Sequence, residues 1–244
     1  MLKRLLLASL ALPLSVSAAP LSMDLDALSH GEIVNDQFDG VTVSGTNPNR
    51  GFDYVAAFDT NKDATRDPDL ESPWSGGNLP TDTDLGNILI IAENNVGADD
   101  GVLDLPDDEG TRPNAGTISF AFDVDLFSFS FVLVDIEGPS EYGIDGGFFA
   151  SFYDGDTLLE SVGFGALVGN TGPYGSNAVF GDNTINQINP ITASLLGTTF
   201  DRVDVTFGGS GAIGGIQYQV PAPATLALLG LGLVGVALRK RRTN

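Results

Sequence analysis

The chain contains no cysteine. Disulfides, thiol catalysis and zinc–thiolate centres are therefore excluded, and stability has to come from a packed core or from bound ions. There is one histidine, His30, and one tryptophan, Trp74. A Ser-His-Asp triad would have to use His30, which sits in "ALSHGEIV" ahead of the first strand pattern, and no nucleophile elbow accompanies it. Positive charge is also scarce: 11 Lys and Arg stand against 32 Asp and Glu, a net charge of −21. Six of those cations lie at the two ends, as Lys3, Arg4, Arg239, Lys240, Arg241 and Arg242. The middle keeps Arg50, Lys62, Arg66, Arg112 and Arg202, five cations against all 32 acids, so it carries −27. Such a body repels nucleic acid and anionic lipid, which excludes nucleic-acid binding. This negative charge has two readings, solubility and cation binding, and the excess of Asp over Glu suits oxygen-ligand loops for a hard cation.

What is present at the ends is directional. "MLKRLLLASLALPLSVSAAP" has a basic start, an apolar run from Leu5 to Val16 and small residues after it. That is a secretory signal peptide, residues 1–18, with signal peptidase expected to cut after Ala18. At the other end, Ala224 to Leu238 is apolar except for Thr225, and Val220 to Leu238 approaches the ~20 residues that span a bilayer core. Arg239, Lys240, Arg241 and Arg242 follow as a stop-transfer cluster held in the cytoplasm, with the acidic body outside. Pro221 and Pro223 fix their own φ and bias Val220 and Ala222 to extended backbone, as a protease requires of its substrate. The expected organisation is a signal peptide (1–18), an acidic body (19–219) and a C-terminal address (220–244).

The body shows no convincing helical period. Strand patterns fall at 37–45, 52–58, 87–93, 116–122, 127–137, 147–154, 157–164, 200–208 and 215–220, with Gly at their borders. Asp154-Gly155 reads as a hairpin turn, and Phe127, Phe129 and Phe131 alternating with Ser128 and Ser130 as a half-buried strand. The stretch Ile191 to Gly197 has room for a turn or two of helix. The expected class is all-β: an antiparallel β-sandwich, jelly-roll-like, plus the signal peptide and one C-terminal transmembrane helix.

Between the second and fourth patterns the chain is loop-rich and acidic. Asp59-x-Asn61-x-Asp63 begins as a calcium loop does, but Ala64 stands where the turn glycine belongs and Leu70 where the twelfth-position carboxylate belongs. A non-EF calcium site on sandwich loops is the expectation. Its candidate metal ligands are Asp59, Asn61, Asp63, Asp67, Asp69 and Glu71, with Asp107, Asp108 and Glu109 as a second cluster. A hydrolase would need two carboxylates flanking a cleft, with Glu93 and Glu137 the first to consider, and Trp74, Tyr142, Tyr153 and Tyr174 could stack on sugars.

The C-terminal arrangement closely resembles the PEP-CTERM sorting signal, a domain also labelled ice-binding protein C-terminal. The motif is Val220, Pro221, Ala222, Pro223, Ala224 and Thr225, followed by "LALLGLGLVGVALRKRR". Ala222 takes the place of the family's usual Glu. The resemblance implies a Gram-negative-type bacterium, recognition by an exosortase and processing near the motif. It also implies a link to extracellular polysaccharide. The expected protein is exported, anchored transiently in the inner membrane, then released to the cell surface or matrix, with a non-catalytic body that binds calcium or carbohydrate. The alternative is a secreted carbohydrate-active hydrolase on the same scaffold. An ice-binding body would require a flat, regular Thr-rich face, and the sequence has no periodic Thr array.

Overall fold

The computed structural model describes residues 19–112, 114–136, 138 and 148–221. The signal peptide, the sorting residues Ala222, Pro223, Ala224 and Thr225, the cluster Arg239 to Arg242, and both Glu137 and Tyr142 lie outside the described residues. So does the stretch expected to cross the membrane. Among the described residues no helix is long and apolar enough to do so. Pro20–Val220 form one compact unit.

Among the described residues this unit has thirteen strands. In chain order they are β1 (Leu21–Ser22), β2 (Val41–Thr46), β3 (Val55–Asp59), β4 (Gly76–Gly77), β5 (Asn87–Ile91), β6 (Gly116–Leu126) and β7 (Ser128–Val134). Then follow β8 (Phe149–Asp154), β9 (Thr157–Gly163), β10 (Thr184–Gln187), β11 (Ile191–Thr192), β12 (Phe200–Phe207) and β13 (Ala212–Gln219). One helical turn, α1 (Ala193–Leu196), is capped by Thr192 Oγ1, which accepts from Leu195 N at 3.4 Å, and ends at Gly197 with φ 87°. The hairpin between β8 and β9 turns on Gly155, the first of two loop residues, at φ 55°, which a side-chain-bearing residue adopts poorly.

The strands form two sheets. The smaller has the order β2-β6-β12-β8-β9, antiparallel throughout. The larger has the path β3-β5-β13-β7-β10-β4, with β1 on β13 and β11 on β7, and only the short β4–β10 pair is parallel. The expected all-β, antiparallel sandwich is the observed class. β2 alternates as a half-solvated strand should: Val41 and Val43 are buried, Thr42 and Ser44 exposed. Its apolar side joins Ile118, Phe120, Phe152, Val203 and Val205 against Phe129, Phe131, Leu133, Leu89 and Ile213 of the larger sheet in one continuous core.

The larger sheet departs from the half-buried expectation. Every residue of β5 and β7 is buried, Ser128 and Ser130 included, whereas Phe127 is exposed. The reason is a second apolar cluster on the sheet's other face. Phe58, Ile88, Ile90, Val132, Val134, Ile185 and Ala212 lie there under Leu70, Trp74 and Leu103 from the connecting segments. Trp74 fixes this cover by donating Nε1–H to the Thr83 carbonyl at 2.8 Å. A long acidic loop thus works as the third layer of the body.

That role is testable at Leu70, which is fully buried although it lies in a 3-10 turn between strands. Leu70→Ala should destabilise the body by about 2–5 kcal/mol in chemical denaturation. A change within about 0.5 kcal/mol, the usual effect of a solvated-loop substitution, would show that the segment does not cover the sheet.

Candidate metal centre

The covering segment brings carboxylates together from places distant in sequence. Asp67 precedes the turn Pro68–Leu70 and is held there by a local network. Thr65 Oγ1 donates to Glu71 Oε1 at 2.6 Å, Thr65 N donates to the same oxygen at 2.7 Å, and Leu70 N donates to the Asp67 carbonyl at 3.3 Å. Asn183 clamps the turn to the sheet by donating Nδ2–H to the carbonyls of Asp69 and Glu71 at 3.0 and 2.8 Å. Asp107 and Asp108 arrive from the other side, as the chain returns along the end of β5. Glu93 N donates to the Asp107 carbonyl and Glu109 N to the Ile91 carbonyl, both at 2.9 Å, with Ala92 and Asp108 paired as an antiparallel bridge between them.

Asp67, Asp107 and Asp108 each present a carboxylate oxygen within 4.8 Å of the other two. Asp67 is 7% exposed and Asp108 6% exposed. Oδ2 of Asp67 is buried without a hydrogen-bond partner. Asp108 accepts from Gly211 N and from Ser210 Oγ, and the same hydroxyl lies 2.9 Å from Asp135 Oδ2. Asp135, at 2% exposure, follows β7 at φ 54° and accepts from Asn183 N at 2.6 Å through Oδ1. A serine hydroxyl has one proton to give, so it can satisfy Asp108 or Asp135 but not both as ionised acceptors.

The electrostatics follow from this crowding. Burial first, and the charges of Asp67 and Glu93 next, push Asp107 up to about 6. Burial pushes Asp135 up to about 7 against the hydrogen bonds from Asn183 and Ser210. Asp67 is raised by burial, and Asp108 well above the usual carboxylate range by burial and by Asp67 beside it. Little positive charge offsets this. Arg50 is engaged with Glu93 and Glu109 at 2.7 Å, Arg202 lies over the Tyr153 ring at 3.9 Å, and Arg66, whose charge lowers Asp107, is exposed. Three carboxylates that each present an oxygen within 4.8 Å of the others could hold a hard cation, with further oxygens supplied by water or main chain.

Of the residues expected from loop spacing, the fold sends only Asp67 into this cluster, together with Asp107 and Asp108 of the second expected group. Asp59 and Asn61 lie elsewhere, lining an open polar pocket with Asp26, His30, Asp84 and Asn87. Asp63 and Asp69 are exposed, Glu71 serves the Thr65 turn, and Glu109 is tied to Arg50 Nε, to Asn47 Nδ2 and to Thr111 N. His30 accepts the Asp59 N–H on Nδ1 at 3.0 Å, and burial, with Lys62 nearby, lowers its pKa. Asp135 and Ser210 were not anticipated. The one available signal is an acid directly after an apolar run, "FVLVD".

Residues 219–242 match the PEP-CTERM protein-sorting motif. No curated protein and no solved structure matches the chain. The motif marks an exosortase-targeted, exported surface protein.

The raised acids set a pH dependence for the metal-free protein. An acid whose native pKa exceeds its unfolded value, about 3.9 for Asp, binds its proton preferentially when folded, so stability falls as pH rises between the two values. With Asp107 near 6 and Asp135 near 7, Tm in chelator should drop between about pH 4 and about pH 7, and Asp135→Asn should flatten the slope. A Tm that climbs over that window would contradict the assignment.

Proposed function

We propose that this chain, carrying the PEP-CTERM protein-sorting motif at residues 219–242, is a non-catalytic component of the cell surface or extracellular matrix, and that an exosortase detaches its C-terminal address. The motif is the observation that carries the reading. Its place along the chain supports it. β13 ends at Gln219 and the motif begins there, so the folded body is complete where the address starts. Val220 still packs in part against the core, while Pro221 cannot donate to a strand ladder and ends the pairing. In this reading the apolar stretch holds the chain in the inner membrane until cleavage, with Arg239 to Arg242 inside and the acidic body outside.

The non-catalytic reading draws support from the groups a hydrolase would use. Glu93 is salt-bridged to Arg50 at 2.7 Å, and the one histidine is committed to a main-chain hydrogen bond. A polysaccharide is the matrix partner that suits the outer face of the smaller sheet. There Thr46 pairs with Thr117 and Ser44 with Ser119 towards the β2 edge, while further in Thr206 and Ser151 are buried and bonded to Thr117 and Ser161. The exposed hydroxyls of the β2 edge, Thr42, Ser44 and Thr46, offer hydrogen bonds to a sugar.

Intact mass of the protein from wild-type and exosortase-deficient cells tests this. The wild-type product should lack both the first 18 residues and the basic tail, and the deficient strain should keep a membrane-bound chain with its tail. Identical C-termini in the two strains would overturn the reading.

A further inference from the structure

We propose that Asp67, Asp107 and Asp108 form a calcium site that fastens the covering segment to the edge of the larger sheet. The inference stands apart from the sorting reading and holds whether or not the tail is cleaved.

Three observations converge on it. The first is spacing. Oxygens within 4.8 Å of one another fit around one cation at calcium–oxygen distances of about 2.3–2.6 Å, since two ligands on opposite sides of the ion lie about twice that apart. Magnesium, at about 2.0–2.1 Å, demands a tighter and more regular set and keeps several waters. The second is an orphan acceptor. Asp67 Oδ2 is buried and receives no N–H or hydroxyl donor, and its carboxylate lies against those of Asp107 and Asp108, meeting Asp108 through a hydrogen bond only where one of the two carries a proton. A buried acceptor left unpaired is costly, and a cation supplies the missing partner. The third is the scaffold. Two of the ligands are held in place: the Asp67 turn by the Thr65–Glu71 bonds and the Asn183 clamp, and Asp108 by its main-chain bridge to Ala92 and, through its carboxylate, by Gly211 N. Asp107 is only half-buried, which leaves an entry path and room for water ligands.

The site has a structural consequence. Asp67 belongs to the segment that covers β3, β5, β7 and β10, whereas Asp107 and Asp108 lie along the end of β5. One ion therefore ties the start of the cover to the sheet edge where it returns. Asp135 and Ser210 stand behind Asp108 and orient it.

The experiment uses the exported protein, stripped with chelator and then titrated with calcium or with magnesium. Equilibrium dialysis should show a calcium ion whose binding depends on Asp67. Tm should rise by about 5–10 °C at a hundredfold excess over Kd, with a smaller rise for magnesium. Asp67→Asn and Asp108→Asn should weaken that binding by about tenfold or more. Asp59→Asn should leave it intact. In chelator, Asp67→Asn should melt no lower than the parent, because it removes a crowded buried charge. If Asp108→Asn does not fold, Asp67→Asn and the parent decide the matter alone. The proposal is overturned by a parent protein with no calcium response, by an equal response in Asp67→Asn, by loss of the response in Asp59→Asn, or by magnesium matching calcium.

Discussion

The rest of the structure depends on the larger sheet being apolar on both faces. A two-layer sandwich covers only one of them, with the Phe-rich core between β6, β12 and β8 on one side and β5, β7 and β13 on the other. The second face, built from Phe58, Ile88, Ile90, Val132, Val134 and Ile185, would otherwise meet water. The chain's own connections close it. Leu70, Trp74 and Leu103 provide the apolar contact, while most acids of the same segments, among them Asp63, Asp69, Asp82, Asp84, Asp99, Asp100 and Asp104, are exposed and keep the surface soluble, with Asp67, Asp108 and Glu109 turned in. The strong negative charge of the body and the length of its loops are then two aspects of one arrangement.

The cover meets the sheet edge at the acid cluster. Loops without regular pairing need particular anchors, and here these are a side-chain turn at Thr65 and Glu71, the Asn183 clamp, the Trp74 hydrogen bond and the convergence of Asp67, Asp107 and Asp108. The first three are ordinary hydrogen bonds. The last brings like charges together under burial, which stabilises the fold only when protons or a cation neutralise them. The absence of cysteine makes this choice intelligible. An exported body without disulfides has its core to rely on, and a bound cation would add to it.

Much of the fold was legible because local pattern and final environment agree. β2, β8, β9, β12 and β13 announce themselves through alternation, β-branched residues and Gly borders, and Gly155 marks its turn. The strands that escaped notice, β1, β4, β10 and β11, are two to four residues long and owe their pairing to neighbours brought up from far along the chain. Gly77 shows why: at φ 113° a Cβ would stand 1.8 Å from the Ile185 carbonyl oxygen, a constraint set by β10 and invisible locally. The candidate site was legible in part for the same reason. Spacing grouped Asp67 with Asp59, Asn61, Asp63, Asp69 and Glu71, as though one loop wrapped an ion, while the fold joins it to Asp107 and Asp108. Asp135 could not be picked out, because it ends an apolar strand and gains its neighbours only through Ser210 and Asn183. The sorting motif at residues 219–242 was legible because its pattern is local to the sequence.

The most direct measurement is a crystal structure of the exported body grown with calcium, with anomalous differences recorded. The account predicts one anomalous peak bonded to oxygens of Asp67, Asp107 and Asp108, with the covering segment ordered over the larger sheet. Carboxylates turned apart into solvent, or density there that is water alone, would contradict it.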